Sequence, residues 1–242
     1  GAGAQGQFQP AFAVAQGPDR APEFHLGHHL PGQYLQGAAL LGGVVLCWPM
    51  FQGLPLALDE HGSFWVIDGG GPASIWRRSL DYTAMPPLSS WLQQAAVATL
   101  GISESALRLP SAIAYWAALI VVYRTGSLLG QPMTGGVAAL LLAWHPVVLS
   151  EVRFARSYGL VVLLASLLTC ATVGALQQGL RRRWCLVWTL SAAGLLWTHY
   201  LTLPFIAAAW CGLAGSVIWL PRNDRRSWLR LTASTTGIAL AA

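Results

Sequence analysis

Long runs of uncharged apolar residues are the feature that most constrains how this chain can fold. Hydrophobic residues make up 55% of the 242 residues and charged residues only 10%, whereas a typical soluble domain has about 25% charged residues. A helix of about 20 apolar residues can cross a bilayer, and helices satisfy their own backbone hydrogen bonds inside lipid. The composition therefore predicts an all-α polytopic membrane protein.

The apolar runs predict about seven spans. The first, Tyr34–Leu58, carries no charge and contains two prolines near its end. The uncharged stretch Trp184–Leu220 is too long for one span, so we expect two helices that turn between His199 and Pro204. The remaining runs are Leu109–Tyr123, Met133–Ser150, Tyr158–Leu176 and a seventh that begins at Trp228.

The two ends of the chain differ in composition. Residues 1–33 are rich in Gly, Ala, Gln and Pro, and we expect a disordered tail because they cannot bury enough apolar surface to offset the entropy of ordering. The chain does not begin with Met, and it stops at Ala242 within an apolar run. We therefore expect a fragment in which a membrane domain, 34–242, is cut short at its C-terminus.

Cysteine spacing and net charge argue against two other classes of protein. The four cysteines lie inside apolar runs without CxxC spacing, so neither a disulfide framework nor a thiolate metal site is indicated. The net charge of +5 comes from arginines in the gaps between apolar runs. This pattern is typical of cytoplasmic loops and headgroup contacts, and we expect no nucleic-acid partner.

The arginines also decide whether Pro86–Leu100 spans the membrane or lies on its surface. The segment is shorter than the roughly 20 residues of a span. If it lies on the surface and the N-terminus is inside, Arg124, Arg181–Arg183 and the Arg222–Arg230 cluster are all cytoplasmic, as the positive-inside rule requires. We therefore predict a surface helix. Three segments then share the outer side of the membrane: the loop 58–109, the loop Glu151–Ser157 and the turn His199–Tyr200.

Three carboxylates lie at the outer ends of apolar runs. Asp59 and Glu60 directly follow the first run. They are either solvated caps at the membrane interface or include a general base that takes a proton from an acceptor hydroxyl. Glu151 ends the third run. It either pairs with a neighbouring arginine or acts as a second acid that orients an acceptor or binds a divalent cation.

Several basic and aromatic groups could also carry chemistry. Arg153 and Arg156 either reach lipid headgroups or hold a phosphate, because a guanidinium presents a fork of donors that suits phosphate oxygens. Taken alone, His199 with Tyr200 is more typical of an interfacial anchor. We expect His145, which precedes a proline, to form hydrogen bonds at a helix end rather than to bind a ligand.

Five segments follow one another in a recognisable order between Leu35 and Leu220. They are Asp59-Glu60, Pro86-Pro87-Leu88, Ala106-Leu107-Arg108-Leu109-Pro110-Ser111, the stretch with Glu151, Arg156 and Tyr158, and Thr198-His199-Tyr200. Together they resemble the polyprenyl-phosphate-sugar-dependent membrane glycosyltransferases of the GT-C fold, in particular protein O-mannosyltransferases and aminoarabinose transferases. The resemblance implies a GT-C-like helical bundle with a long first extracytoplasmic loop that carries short surface helices.

The resemblance also implies an activity. A sugar would pass from a polyprenyl-phosphate donor to a hydroxyl of a lipid, glycan or protein acceptor, with inversion, at the outer face of the plasma (inner) membrane. Asp59 would be the catalytic base with Glu60 beside it, and Glu151 the second acid. Donor phosphate-binding residues would be Arg153, Arg156, Tyr158 and His199. The resemblance does not specify a cofactor, and it leaves open whether a divalent cation is required.

One position departs from the family pattern. The family usually has His or Lys directly before the two prolines, whereas this chain has Met85. Either a donor to the phosphate is missing, or Arg77 or Arg78 replaces it. A phosphodiester leaving group is weakly basic, so a base and cations that hold the phosphate are sufficient.

Two other readings compete with a transferase. A transporter or flippase for a lipid-linked or small solute would place charged groups near the bilayer midplane, whereas the acids here lie in loops, which favours an enzyme. A membrane scaffold or inactive paralogue is the second alternative, and Met85 is its main support.

Overall fold

The computed structural model of the protein describes residues 26–219 and the side chains of residues 31–215. Within these residues the regular secondary structure is helical, and ten α-helices follow one another. In chain order they are α1 (Leu26–Cys47), α2 (Leu58–Ile67), α3 (Pro72–Thr83), α4 (Leu88–Leu100), α5 (Glu104–Leu128), α6 (Pro132–Ala143), α7 (Pro146–Val152), α8 (Tyr158–Gln178), α9 (Arg182–Thr198) and α10 (Leu203–Trp219).

Several helices have the length and composition of membrane spans. Three segments of the described chain, Pro31–Phe51, Glu104–Leu128 and Tyr158–Gln178, are long and apolar enough to cross a bilayer, or four if α6 and α7 count as one bent span. The predicted fold class, an all-α polytopic membrane protein, is confirmed. Helices α9 and α10 have 17 residues each, so the number of spans stays a prediction.

Helix α5 is the centre of the bundle. It packs against α1, α6 and α8, and its Tyr115 and Leu119 are fully buried in the larger apolar core. A second core joins α8 to α9 and α10 around Leu168 and Trp188. The bundle therefore consists of two packed groups of helices that share α8 as a neighbour.

Helices α2, α3 and α4 form a separate small layer between the first and second long helices. A third apolar cluster, which includes Val66, Ile75 and Leu107, holds this layer against the start of α5. Helix α4 has 13 residues, fewer than the roughly 20 of a span. A short helix was predicted over Pro86–Leu100, and the structure agrees.

The first predicted span, Tyr34–Leu58, differs from the observed helix at both ends. Helix α1 already begins at Leu26, a 3₁₀ turn over Trp48–Phe51 follows it, and the next residues are not helical until Leu58. Pro49 explains the early end of α1, because proline lacks the backbone N–H that an α-helix requires. The second proline, Pro55, lies in the non-helical stretch that follows. Residues 1–25, most of the predicted tail, lie outside the described residues.

The predicted single run Met133–Ser150 is in fact two helices. Helices α6 and α7 meet at an angle of 61°. Pro146 cannot continue the hydrogen bonding of α6, and His145 before it takes an extended conformation. The Nδ1 atom of His145 accepts a hydrogen bond from the backbone N–H of Val148 at 3.3 Å, so the predicted helix-end role of this histidine is confirmed.

The predicted division of Trp184–Leu220 is confirmed. Helix α9 ends at Thr198, a 3₁₀ turn covers Tyr200–Thr202, and α10 starts at Leu203. The seventh run, which begins at Trp228, lies outside the described residues.

Helix α8 begins in direct contact with α5, and Gly159 makes this approach possible. A Cβ atom at Gly159 would overlap the backbone carbonyl oxygen of Ser111. The Ser111 side chain donates a hydrogen bond to the carbonyl of Val152 at 3.1 Å. The start of α8, where Tyr158 lies, is therefore fixed to the bundle.

Replacing Gly159 by Ala should destabilise the protein by about 1–3 kcal/mol, because the added methyl group meets backbone rather than a movable side chain. Thermal unfolding of the full-length protein in detergent measures this loss. Gly37→Ala is the matched control, since nothing lies within 4 Å of a Cβ at that position. Equal unfolding temperatures for the two variants would contradict the assigned contact.

Candidate active site

A buried ion pair joins the first turn of α2 to α5. Arg108 donates from Nε to Glu60 Oε1 at 2.8 Å and from Nη2 to Oε2 at 2.7 Å. The two side chains are 5% and 0% exposed. Such a bidentate pair fixes the relative orientation of its partners as well as their distance, so the position of α2 on α5 is defined.

The remaining donors of Arg108 hold the non-helical segment that follows α1. Nη1 donates to the carbonyls of Met50 at 3.2 Å and Leu54 at 3.0 Å, and Nη2 donates to the carbonyl of Pro55 at 3.2 Å. A guanidinium has five N–H donors, and all five of Arg108 are used. One side chain therefore binds three carbonyls of the segment between α1 and α2.

Glu60 accepts two further hydrogen bonds, both from backbone N–H groups. Ala57 donates to Oε2 at 2.8 Å, and Ala155, from the α7–α8 loop, donates to Oε1 at 2.6 Å. Burial raises the pKa of Glu60, but the Arg108 guanidinium and the two N–H groups oppose it and hold this pKa below its ordinary value. Glu60 is thus an ionised carboxylate with two partners on each oxygen.

The peptide group of Ala155 is held from both sides. Its N–H donates to Glu60, and its carbonyl accepts a hydrogen bond from Gln93 Nε2 of α4 at 2.8 Å. Gln93 is 3% exposed and also donates to the carbonyl of Leu107 at 3.4 Å. The α7–α8 loop is therefore attached to α2 and α4 at one peptide, directly before Arg156.

An exposed ion pair lies next to the buried one. Arg156 Nη2 lies 3.3 Å from Asp59 Oδ2, with side chains 30% and 75% exposed. Asp59 precedes Glu60 and Arg156 follows Ala155 in the chain. The contact between Glu60 and Ala155 therefore brings an accessible carboxylate and an accessible guanidinium together.

His199 and Tyr158 complete this group of residues. Their ring centroids are 6.3 Å apart, and the backbone N–H of Leu201 donates to His199 Nδ1 at 3.3 Å, which leaves the ring proton on Nε2. Burial, and then the positive charge of Arg156, lower the pKa of His199. At neutral pH His199 is therefore an uncharged donor beside Arg156 and Tyr158.

Two predicted site residues lie in other environments. Arg153 donates from Nε to the carbonyl of Leu46 at 3.0 Å and so holds the end of α1. Glu151 is half-buried on α7, and within residues 31–215 its carboxylate has no hydrogen bond or ion pair, so the alternative of a local pair with Arg153 or Arg156 is wrong. In the described part of the chain no group of three or more His, Cys, Asp or Glu could hold a metal ion.

The position before the two prolines is occupied by a side chain without a donor. Met85 is half-buried and lines a cavity together with Arg156 and Tyr158. Arg78, one of the two predicted replacements, donates instead to the carbonyls of Asp68 and Trp65, the latter at 3.3 Å. Arg78 therefore holds the end of α2 and does not replace the family's basic residue.

Sequence reasoning gave no role to two residues on which this site depends. Arg108 is a charged residue in the first turns of a long apolar helix, and an arginine in such a helix requires a partner, so its position was an available signal. Gln93 carries no comparable signal, because a glutamine on a short surface helix is unremarkable in sequence. Its role follows only from its contacts.

Together these contacts define the class of protein: a polytopic helical membrane protein with a polar site at helix ends. Residues 84–242, more than half of the chain, match the family described as dolichyl-phosphate-mannose-protein mannosyltransferase. The chain belongs to this family, and the protein is a membrane glycosyltransferase of the GT-C type. The matched region includes Arg108, Arg156 and His199, whereas Asp59 and Glu60 precede it. Comparison with curated protein sequences and with solved structures gives no match.

Arg108→Gln should destabilise the protein by about 3–5 kcal/mol, because it leaves the buried carboxylate of Glu60 without its charged partner. Arg124→Gln is the matched control, since Arg124 is an exposed residue of the same helix. Thermal unfolding of both variants in detergent compares them. Equal stability of the two variants would show that the buried pair does not hold the α2–α4 layer.

The stability of the protein should depend on pH through Glu60. The pKa of Glu60 is lower in the folded than in the unfolded chain, so its stabilising contribution is complete above about pH 4.5, the ordinary value, and is lost as the pH falls through the folded-state pKa. Unfolding temperatures measured from neutral to acidic pH should fall less steeply in Glu60→Gln. Asp81→Asn, which changes an exposed carboxylate, is the control and should show the same fall of unfolding temperature with pH as the wild type.

Proposed function

We propose that the protein transfers a sugar from a polyprenyl-phosphate donor to an acceptor hydroxyl, with Asp59 as the catalytic base. The exposed pair of Asp59 and Arg156 carries this proposal. It offers a proton acceptor and a phosphate ligand side by side. The proposed site also lies at helix ends and in a loop rather than in the middle of the bundle, which favours a transferase over a transporter.

The proposed reaction is a single displacement. The acceptor oxygen attacks the anomeric carbon while its proton passes to the Asp59 carboxylate. The bond between the anomeric carbon and the phosphate oxygen breaks, and its electron pair leaves with the polyprenyl phosphate. The attack comes from the side opposite the leaving group, so the configuration at the anomeric carbon inverts. A phosphate leaving group needs no strong general acid.

Arg156 would change partners when the donor binds. Its ion pair with Asp59 is a single, exposed contact at 3.3 Å, and such pairs contribute little to stability. A phosphate offers the guanidinium stronger, bidentate hydrogen bonds. His199 feels the charge of Arg156 and Tyr158 lines a cavity with Arg156, so His199 Nε2 and the Tyr158 hydroxyl would supply two further donors. Donor binding would thereby free Asp59 to accept the proton.

The buried residues would position this pair rather than touch substrate. Glu60 fixes the first turn of α2 and the α7–α8 loop, and so holds the backbones of Asp59 and Arg156. Arg153 fixes the end of α1. Glu151 stays in the proposal as the second acid that orients the acceptor or binds a divalent cation, because its carboxylate has no partner within residues 31–215.

The proposed site faces the extracytoplasmic side of the plasma membrane. This assignment is supported by the arginine pattern of the sequence, which favours cytoplasmic placement of the opposite loops. A lipid-linked sugar cannot leave the bilayer, so its transferase needs a site at headgroup depth. Helices α2 to α4 would then lie on the membrane surface over the ends of the spans.

Asp59→Asn should lower sugar transfer about 10²- to 10⁴-fold, the usual contribution of a general base. Transfer from radiolabelled polyprenyl-phosphate sugars by full-length protein in membranes measures this. Asp81 is an exposed carboxylate on α3, and the control variant Asp81→Asn should keep wild-type activity. Glu151→Gln tests the second acid. Normal insertion of each variant is checked in parallel. Equal rates of sugar transfer in Asp59→Asn and wild type would contradict the proposal.

Asp59→Asn should also bind sugar-free polyprenyl phosphate more tightly than wild type, because Arg156 no longer has a competing carboxylate. Arg156→Gln should bind it more weakly. In the Arg156→Gln background the Asp59→Asn change should have no further effect, since the competition acts through that guanidinium. Tighter binding that persists without Arg156 would instead indicate simple repulsion between the carboxylate and the phosphate.

A further inference from the structure

Three tryptophan rings meet where the layer of α2, α3 and α4 contacts α9. They are Trp76 of α3, Trp91 of α4 and Trp197 of α9, here called the tryptophan triad. The ring centroids of Trp76 and Trp197 are 5.4 Å apart in an edge-to-face arrangement. Those of Trp91 and Trp197 are 5.8 Å apart, and those of Trp76 and Trp91 are 6.2 Å apart. Each ring therefore lies within the distance at which aromatic pairs attract each other beyond simple burial.

Two of the three rings are fixed within the layer. The Trp91 Nε1–H donates a hydrogen bond at 3.3 Å to the carbonyl of Pro72, the first residue of α3. Trp91 thereby joins α4 to α3 through this hydrogen bond as well as through its ring contact with Trp76. Ile75, beside Trp76 in the chain, is fully buried in the apolar cluster that the layer shares with α5. The triad is therefore attached to the same layer that carries Asp59.

The third ring, Trp197, lies two residues before His199. Helix α9 ends at Thr198, whose side chain is fully buried and whose hydroxyl donates to the carbonyl of Gly194 at 2.6 Å. His199 takes an extended conformation, yet its backbone N–H still donates to the carbonyl of Leu195 at 2.8 Å. The connection from Trp197 to His199 is thus short and fixed by hydrogen bonds. The position of the Trp197 ring therefore helps to set where the imidazole lies.

The triad joins two parts of the proposed site that the buried ion pair does not join. The contacts of Glu60 hold Asp59 and Arg156 in place, but those contacts involve α2, α5 and the α7–α8 loop. His199 comes instead from the end of α9, which packs chiefly against α8. The ring contacts of Trp197 attach this end of α9 to α3 and α4. They link the part of the site with the proton acceptor to the part with a phosphate donor.

We infer that Trp197 is a positioning residue, which through its contacts with Trp76 and Trp91 holds His199 where Nε2 can donate to the donor phosphate. The inference rests on the proposed function. Hydrogen bonds weaken steeply as their distance and angle leave the optimum, so a small shift of the end of α9 would cost affinity. The alternative is that the three rings only anchor the protein at the membrane interface, where tryptophan is common. An anchor would affect insertion and stability but not the contribution of His199.

The experiment measures whether Trp197 acts through His199. Full-length protein in detergent is titrated with sugar-free polyprenyl phosphate. Trp197→Leu should weaken binding about 3- to 10-fold, the usual effect of losing an aromatic pair or one hydrogen bond. In a His199→Leu background the same change should alter the affinity by less than about 2-fold, because the group that Trp197 positions is already absent. Trp197→Phe, which keeps a ring in the triad, should bind the lipid as the wild type does.

A second variant tests the triad from the side of the layer. Trp76→Leu removes a ring that is 36% exposed and leaves the sequence of α9 unchanged, so it keeps the test available if Trp197→Leu does not fold. It should weaken binding in the wild-type background and not in His199→Leu. Trp65→Leu is the matched control, because Trp65 is another tryptophan of the layer, lies outside the triad and is 63% exposed. This control should bind the lipid as the wild type does.

The possible outcomes separate the inference from the proposed function. Equal weakening in the wild-type and His199→Leu backgrounds would show that the triad acts on packing alone and would overturn the inference. Unchanged binding in both Trp197→Leu and Trp76→Leu would overturn it as well. If His199→Leu binds normally while Arg156→Gln binds weakly, His199 does not hold the phosphate, and the inference fails although the role of Arg156 stands. If wild type does not bind the lipid, the proposed function fails and the inference with it.

Discussion

The arrangement of the site depends on a buried guanidinium that must satisfy five N–H donors at once. Arg108 can be buried only because Glu60 and three backbone carbonyls surround it. Those carbonyls are free to accept because α1 ends early at its proline-containing turn. The break in the first helix and the buried arginine therefore stabilise each other. Without either one, α2 would be held on α5 by the apolar cluster around Val66 and Leu107 alone.

Adjacent residues at this site have opposite environments, and this separates their roles. Glu60 is fully buried, whereas the side chain of Asp59 is 75% exposed, because neighbouring side chains on a helix point in different directions. The same holds in the α7–α8 loop, where Ala155 is buried and Arg156 reaches solvent. One residue of each pair fixes the backbone. The other is left accessible for substrate.

The sequence predicted the helices well but not the partners of individual charged residues. Apolar runs and prolines are local signals, so the fold class, the turn at His199 and the helix-end role of His145 were accessible. The break within Met133–Ser150 was missed, although Pro146 marks it. Arg153 and Arg156 look alike in sequence, and only distant contacts distinguish them. Arg153 meets Leu46, 107 positions away in the chain, and Arg156 meets Asp59, 97 positions away.

The two-sided attachment of the Ala155 peptide has a consequence for biosynthesis. Glu60 is synthesised before Arg108, 48 positions later, and well before Ala155, 95 positions later. During translation the Glu60 carboxylate has neither of these partners, and it stays hydrated until first α5 and then the α7–α8 loop have been synthesised and placed. The layer of α2, α3 and α4 can therefore close only after much of the bundle has been inserted.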